Sequence, residues 1–283
     1  MATILKPGMS KFRVVPLTTH VGAEVLDIDL ARIDDEAVFS ELRRLFAQYG
    51  VLFFRDQQLT VEQYVALGER FGILEDNDTL AHVPGFKQVG LLVKETGHVT
   101  SIGDMWHTDH SYVAEPMKAT MLRAIEVPET GGDTLFLHTG RAFQTLPEGL
   151  KAMLRTLKAL HSRTYLIRDG RYAAQYFKER PSQTTQDRLG ATAIHPAVTI
   201  HPETGEEVLF LNPGYVVKFD GWNAKQSAGL LASIYEHCLQ PEYQCRFRWH
   251  PGSVAIWDNR QTWHYAVNDY HGTRREMQRL IIA

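Results

Sequence analysis

Short apolar segments separated by turn residues recur along most of the chain, and this feature constrains the fold more than any other. In residues 243–249 apolar and polar side chains alternate, which predicts a half-buried strand. The turn sequence at 202–205 lies between two apolar segments and predicts a hairpin. The same criteria predict strands at residues 12–17, 22–26, 51–54, 118–124, 133–137, 198–201, 208–211, 253–257 and 275–282. So many short strands predict a mainly β fold with flanking helices and a double-stranded β-helix (jelly-roll) core.

Four helices are predicted from apolar residues at helical spacing and from capping residues. Asp34 or Asp35 can cap the first helix, and Gly50 ends it. Thr60 and Gln63 form a capping box for the second helix, which we expect to end near residue 72. The other two helices are predicted at residues 147–157 and 223–239.

Two segments lack a clear periodicity. Residues 75–105 predict a long irregular connection, and a connection of that length inside a compact domain usually has a functional role. Residues 162–194 are polar and rich in arginine, glutamine and tyrosine, so we interpret them as a lid or insertion over a pocket, with a disordered surface loop as the alternative. We expect a single domain over residues 1–283.

The composition is that of a globular protein, with 44% hydrophobic residues in a chain of 283. A net charge of −3 favours neither a nucleic-acid partner nor an anionic membrane surface. Cys238 and Cys245 are expected to be reduced structural thiols. No apolar segment approaches ~20 residues and no leader pattern is present, so we expect a soluble cytoplasmic protein.

The residues most suited to metal chemistry are His107 and Asp109, in the segment 106–110. In an extended strand their side chains would share a face, ~7 Å apart at the backbone. A third ligand must come from elsewhere in the chain, and His264 is the best candidate. Two histidines and one carboxylate that leave coordination positions open are typical of non-heme Fe(II) oxygenases, although the same set also serves zinc.

Two arginines follow the third candidate ligand. Arg275 lies eleven residues after His264, and Arg279 lies four residues further on. In a strand these two side chains share a face ~13 Å apart, so they can hold two separate anions through planar, bidentate hydrogen bonds. The alternatives are a solvated edge strand, or pairing of Arg279 with an internal carboxylate of Glu75, Asp76 or Asp78.

With these residues in place, the chain resembles the taurine dioxygenase / phenoxyacetate dioxygenase (TauD/TfdA-like) family of Fe(II)- and 2-oxoglutarate-dependent oxygenases. The resemblance covers the chain from residue 16 to the C-terminus. It is carried by Trp-His-Thr-Asp at 106–109, Pro-Glu-Thr-Gly-Gly-Asp-Thr at 128–134, Trp-Asp-Asn-Arg at 257–260, and the segment 264–279.

The resemblance implies roles for most of these residues. It implies that the iron ligands are His107, Asp109 and His264. It implies that Arg275 and the Thr134 hydroxyl bind the distal carboxylate of 2-oxoglutarate. Arg279 matches the position that holds the substrate sulfonate in the taurine enzyme. The implied reaction consumes 2-oxoglutarate and O2, releases succinate and CO2, and hydroxylates the substrate, with C–S, C–O or C–N cleavage where the new hydroxyl lies beside a heteroatom.

Three positions depart from the taurine enzyme, and we interpret them as candidate substrate-binding residues. Asn77 lies in a segment where that enzyme carries histidine, His110 follows the aspartate where that enzyme has a small apolar residue, and Tyr215 replaces a phenylalanine. The side chain of His110, as the neighbour of an inward-facing ligand on a strand, is expected to point away from the metal.

We therefore expect a dioxygenase that acts on a small anionic substrate: a sulfonate, a sulfate ester, a carboxylate or an amino-acid derivative. Fe(II) is the expected cofactor, with 2-oxoglutarate and O2 as cosubstrates. A homo-oligomer, either a dimer or a tetramer, is also expected, with neither nucleic acid nor membrane as a partner. The alternatives are a non-catalytic sensor that binds metal and 2-oxoglutarate on the same barrel, and a zinc-dependent hydrolase.

Overall fold

The computed structural model describes residues 12–77, 80–163 and 190–283. Within these ranges the chain forms sixteen strands and five α-helices. The strands are β1 (Arg13–Pro16), β2 (Ala23–Leu26), β3 (Val51–Phe54), β4 (His82–Val83), β5 (Phe86–Lys94), β6 (Ala119–Glu126), β7 (Thr134–His138), β8 (Lys158–Ser162), β9 (Thr192–Pro196), β10 (Val198–Ile200), β11 (Glu207–Leu209), β12 (Val216–Phe219), β13 (Gln244–Phe247), β14 (Val254–Asp258), β15 (Thr262–Ala266) and β16 (Arg275–Ile282). The helices are α1 (Glu36–Tyr49), α2 (Val61–Glu69), α3 (Thr139–Gln144), α4 (Glu148–Leu154) and α5 (Ala224–Cys238).

The core of the fold lies between a large sheet and a small one. The large sheet has eight strands in the order β1-β2-β3-β14-β6-β16-β5-β4, and all of its pairs are antiparallel except β2–β3. The small sheet has the order β13-β7-β15. Buried side chains from both sheets meet between them, and the rings of Phe53 and Phe247 stack at 4.1 Å. The predicted mainly β fold with a jelly-roll core is confirmed.

Helices α1 and α2 cover the outer face of the large sheet. Asp35, rather than Asp34, caps α1, because its carboxylate accepts from the backbone N–H of Ala37. Gly50 ends that helix with φ of 71°, a conformation that favours glycine. The predicted capping box of Thr60 and Gln63 is present at α2, which ends at Glu69.

A second layer lies on the far side of the small sheet. It contains the three-stranded sheet β12-β8-β9, the hairpin β10–β11 and helix α5. The hairpin predicted around residues 202–205 is confirmed, with Val198 opposite Leu209. Both cysteines are free and buried. No helix in the described part of the chain is long and apolar enough to cross a bilayer.

The prediction of an irregular connection over residues 75–105 is wrong. The nine residues of β5 form a strand that pairs with β16, which places Lys94 opposite Arg275 and Gly90 opposite Arg279. The sequence Val-Gly-Leu-Leu-Val within β5 does not alternate, so its periodicity gives no strand signal. Pairing with β16, a tertiary contact, determines the structure here.

Smaller predictions also need correction. The helix predicted at 147–157 is shorter, and Pro147 precedes it as the capping residue. Strands β8 and β9 pair with each other, so the two ends of the predicted lid, Ser162 and residues 192–194, belong to strands. Residues 164–189 of that predicted lid lie outside the described residues, as does Asp78.

Candidate metal centre and active site

Three buried side chains converge at one end of the barrel. One nitrogen each from His107 and His264 and one oxygen from Asp109 lie within 4.8 Å of one another. Nε2 of His107 is 3.5 Å from Oδ1 of Asp109, and Nε2 of His264 is 3.9 Å from Oδ2 of the same carboxylate. The structure therefore brings together the trio predicted from the sequence, with three donor atoms close enough to bind one ion.

The backbone places the two histidines directly opposite each other. His264 lies in the middle of β15, and the backbones of His107 and His264 form a two-way bridge with N···O distances of 3.1 and 2.8 Å. This isolated bridge forms where an extended strand was considered for His107 and Asp109, so the side-chain alternation considered there does not occur. The chain turns at once, and His110 has φ of 57°. Asp109 consequently reaches the site from a turn rather than by strand alternation.

Hydrogen bonds orient two of the three side chains. Nδ1 of His107 donates to the Met105 carbonyl at 2.7 Å, which leaves Nε2 to face the trio. Oδ2 of Asp109 accepts from the Thr120 hydroxyl at 2.7 Å, and that hydroxyl oxygen in turn accepts from the amide of Asn259. Such supporting contacts fix ligand geometry before a metal binds.

His264 is oriented by packing instead. Its ring centroid lies 4.7 Å from that of Trp257 and 6.3 Å from that of Phe136. Its Nδ1 is buried without a hydrogen-bond partner among the described residues. Two aromatic neighbours therefore hold this imidazole in place.

The electrostatics favour the protonation states that bind metal. Burial opposes ionisation of Asp109, but His264, His107 and Arg279 outweigh it and hold the pKa of this carboxyl well below its usual range. Burial, with the nearby His107, lowers the pKa of His264 to about 3. A carboxylate and a neutral imidazole are the forms that coordinate metal ions.

Arg275 and Thr134 face the interior of the barrel from opposite sheets. Arg275 shares a face of β16 with Met277, and Thr134 shares a face of β7 with Phe136. Met277 and Phe136 both lie in the core between the two sheets. Arg275 is buried, which lowers its pKa, and its Nε has no hydrogen-bond partner in the described part of the chain. The Thr134 oxygen accepts from the Trp249 indole N–H at 2.9 Å.

Lys94 is a buried cation that the sequence analysis missed. It lies opposite Arg275 in the β5–β16 pairing, and its Nζ donates to the Asn268 side chain at 2.6 Å. The same Nζ lies 4.0 Å from the ring centroid of Tyr270, whose other neighbours include the Arg275 guanidinium at 5.9 Å. Because Lys94 lies in the segment predicted to be irregular, only recognition of β5 as a strand could have identified it.

Arg279 lies on the same interior face of β16 as Arg275, as predicted. Its charge contributes to the lowered pKa values of both Asp109 and His264. Its Nε is buried and has no hydrogen-bond partner among the residues described. No ion pair joins it to Glu75 or Asp76, two of the internal partners considered from the sequence.

Asn77 lies close to Arg279. Asn77 is buried, and a Cβ at Gly90 would come within 2.0 Å of the Asn77 amide nitrogen. Because Gly90 is opposite Arg279 in the antiparallel pair, both positions face the same side of the sheet. The absence of a side chain at Gly90 therefore makes room for the Asn77 amide next to Arg279.

Aromatic rings form another wall of the site. The buried Tyr215 ring lies 6.1 Å from that of His107 and 4.9 Å from that of Tyr112. His110 stacks on Tyr112 at 5.6 Å rather than joining the trio. Tyr215 thus borders the trio directly, whereas His110 is one ring further away.

The loop that carries Tyr215 packs tightly on His107, a contact that the sequence does not show. A Cβ at Gly214 would lie only 2.6 Å from Cβ of His107. Asn212 fixes the loop: its side-chain oxygen accepts from the Tyr215 N–H at 2.9 Å, and its amide donates to the Ser111 hydroxyl at 3.0 Å. The Ser111 oxygen also lies 2.9 Å from Nδ1 of the buried His161.

Comparison with known proteins agrees with this geometry. The family described as "Taurine catabolism dioxygenase TauD, TfdA family" matches residues 13–281. An alpha-ketoglutarate-dependent sulfate ester dioxygenase of Pseudomonas putida is 31% identical over 283 residues, covering 98% of this chain and 91% of the relative. An (S)-phenoxypropionate/alpha-ketoglutarate-dioxygenase of Sphingobium herbicidovorans is 32% identical over 270 residues, covering 90% of this chain and 89% of the relative.

The fold agrees as well. A crystal structure of a taurine dioxygenase from Burkholderia xenovorans superposes with a TM-score of 0.80 at 31% identity, covering 96% of this chain and 89% of that one. The family match spans nearly all of the described residues, including the trio and both interior arginines. The chain therefore belongs to the TauD/TfdA family of dioxygenases.

Proposed function

We propose that this protein is a 2-oxoglutarate-dependent dioxygenase that holds Fe(II) at His107, Asp109 and His264 and hydroxylates a small anionic organic substrate. 2-Oxoglutarate, also called alpha-ketoglutarate, and O2 are the cosubstrates, and succinate and CO2 are the other products. One observation carries the proposal: the buried trio lies beside a strand face that presents two guanidiniums, Arg275 and Arg279, to the interior of the barrel.

The donor set fits Fe(II). Two neutral imidazoles and one carboxylate supply three ligands and leave positions open for small molecules. When bound at this trio, Fe(II) supplies O2 activation coupled to the oxidative decarboxylation of 2-oxoglutarate. Zinc also accepts such ligands, but a zinc hydrolase has no need of a buried cation suited to a cosubstrate carboxylate.

Arg275 and Thr134 bind the distal carboxylate of 2-oxoglutarate. A guanidinium binds a carboxylate through two parallel hydrogen bonds, and burial strengthens them. Since the Thr134 oxygen accepts from Trp249, its own O–H is available to donate to the cosubstrate. Tyr270, between Lys94 and Arg275, holds the guanidinium in place.

Arg279 binds the anionic group of the substrate. It lies on the interior face of β16, so an anion on this guanidinium has its carbon chain inside the barrel, toward the trio. Asn77 and the Tyr215 hydroxyl add hydrogen bonds to the same anionic group. The named relatives act on a sulfate ester and on phenoxypropionate, which are also anions, and a sulfonate, sulfate ester, carboxylate or amino-acid derivative fits this group.

The surrounding residues orient the substrate and exclude water. Tyr112, Tyr215 and Trp257 are buried rings around the trio, and they limit the access of solvent. Where the oxidised carbon carries oxygen, sulfur or nitrogen, the hydroxylated product breaks apart by loss of that heteroatom group.

A cytoplasmic location and a homo-oligomeric state belong to the same proposal.

The test is substrate-dependent succinate formation. The purified protein is supplied with Fe(II), 2-oxoglutarate and O2, and a panel of sulfonates, sulfate esters, phenoxy acids and amino-acid derivatives is compared with no substrate. At least one anionic compound should stimulate succinate release. Product release with Zn(II) and without 2-oxoglutarate would support a hydrolase instead, and tight 2-oxoglutarate binding with no succinate from any compound would support a sensor.

A further inference from the structure

We propose that Arg163 is a second anion-binding residue of the substrate pocket, so that the preferred substrate carries two negatively charged groups. This inference rests on the proposed function, because it specifies the substrate class of the same site. Arg279 would hold one anionic group beside the metal, and Arg163 would hold the other at the far end of the pocket.

Arg163 is a buried cation at the end of strand β8. Its side chain and backbone together are only 7% exposed, and its backbone N–H donates to the Ala191 carbonyl at 3.2 Å. The guanidinium carbon lies 5.4 Å from the ring centroid of Tyr112. Across residues 12–77, 80–163 and 190–283, no ion pair joins Arg163 to a carboxylate. A buried charge is costly unless it is paired, and one cation–π contact at this distance offsets only part of that cost.

A continuous aromatic wall leads from the metal site to Arg163. The ring of His107 is next to Tyr215 at 6.1 Å, Tyr215 is next to Tyr112 at 4.9 Å, and Tyr112 lies under the Arg163 guanidinium. A substrate that lies along this wall has one end near the metal ligands. Its other end is near Arg163.

In this proposal two arginines from different elements serve one pocket. Arg163 directly follows β8, next to the aromatic wall, and Arg279 lies on the interior face of β16 that it shares with Met277. A single small anion can neutralise one of them. A dianion with charges at its two ends can neutralise both.

The test compares ligands that differ only in the second charge. Calorimetric titration would use the protein loaded with Mn(II) and 2-oxoglutarate, so that binding is measured without turnover. The ligands are alkane-1-sulfonates and α,ω-alkanedisulfonates of three to six carbons. Because a hydrogen bond to a charged group contributes ~1.5–3 kcal/mol, at least one disulfonate should bind about 10- to 100-fold tighter than the monosulfonate of the same length.

Variants then assign the preference to Arg163. Arg163→Met should remove most of the preference for the disulfonate and leave monosulfonate affinity nearly unchanged, whereas Arg163→Lys should retain part of it. The matched control is Arg155→Met, which removes a guanidinium that pairs with Glu207 at the protein surface. That variant should keep the full preference.

Several results would overturn the inference. Equal affinity for the monosulfonate and disulfonate at every length in the unaltered protein would do so, and this comparison needs no variant to fold. A preference that survives in Arg163→Met, or that falls equally in Arg155→Met, would also contradict it. If no compound stimulates succinate formation, the proposed function fails, but the binding comparison still decides the role of Arg163.

Discussion

Replacing Gly214 by alanine tests whether the loop at 212–215 holds His107 in its ligand position. The added methyl carbon would lie 2.6 Å from Cβ of His107 and 3.2 Å from the Trp106 carbonyl oxygen. Carbon atoms pack at ~3.5–4.0 Å, so either the loop or the histidine must move by about 1 Å. Asn212 and Ser111 tie the loop to buried partners, and we therefore expect His107 to take much of the displacement.

The expected magnitudes follow from this geometry. Overpacking of a tight contact destabilises a protein by ~1–3 kcal/mol. Disturbing the orientation of a metal ligand lowers metal affinity by ~10- to 100-fold, and a displacement of about 1 Å near the chemistry can reduce turnover by ~10²-fold. Gly214→Ala should therefore bind Fe(II) more weakly by at least about tenfold and lose most of its activity.

The assays are Fe(II) titration, thermal unfolding and succinate formation. Gly229→Ala is the matched control, because Gly229 lies inside helix α5 and, apart from its chain neighbours and the backbone of that helix, a Cβ there meets no described atom within 4 Å. That change should raise stability slightly, by ~0.5–1 kcal/mol, through helix propensity and leave metal affinity unaltered. Wild-type metal affinity and activity in Gly214→Ala would refute the positioning role of the loop.

Three further predictions concern the cations of the site. Arg275→Ala should raise the KM for 2-oxoglutarate at least about 30-fold, because loss of a buried charge pair costs ~2–5 kcal/mol, and an unchanged KM would remove Arg275 from cosubstrate binding. Arg279→Leu should weaken substrate binding strongly with little effect on Fe(II) or 2-oxoglutarate affinity. Neutral esters of a true substrate should turn over poorly. Unchanged substrate binding in Arg279→Leu would refute the anionic-substrate assignment. Lys94→Met should raise the KM for 2-oxoglutarate severalfold while kcat changes little, because Tyr270 loses a contact that holds Arg275, and a fall in kcat alone would contradict this role.

The features predicted correctly are those that local sequence determines. The strand period of two places Arg275 and Arg279 on one face without any knowledge of the partner strands. The Asp35 cap, the Gly50 end of α1 and the capping box at Thr60 likewise depend on chemistry within a few residues. The two histidines and the aspartate were singled out by residue type and by the family resemblance, and the structure brings their side chains together by a turn rather than by the strand alternation considered for His107 and Asp109.

The features that were missed depend on tertiary contacts. Strand β5 has no alternating pattern, and its pairing with β16 defines it, so Lys94 was not recognised as part of the site. The segment around His107 has a strand-like sequence, but only one bridge to His264 forms before the chain turns. The Thr108 hydroxyl donates to the Asn259 and Thr262 carbonyls, far along the chain, and these bonds fix that turn.

The close contact between Gly214 and His107 could not be predicted from the sequence either. The local pattern gives no reason for a residue without a side chain there, because Gly214 does not have a positive φ. The reason is the neighbouring His107, more than one hundred residues earlier in the chain. Buried contacts such as that between Ser111 and His161 are hidden for the same reason.

The most direct test of the central claim is the fate of labelled oxygen. The protein is supplied with Fe(II), 2-oxoglutarate, an accepted anionic substrate and ¹⁸O₂, and succinate is analysed by mass spectrometry, with Asp109→Ala as the comparison. A 2-oxoglutarate-dependent dioxygenase places one atom of the labelled oxygen in each succinate, in an amount equal to the substrate consumed, and Asp109→Ala forms almost none. Substrate conversion without labelled succinate, or near wild-type labelled succinate from Asp109→Ala, would contradict the account.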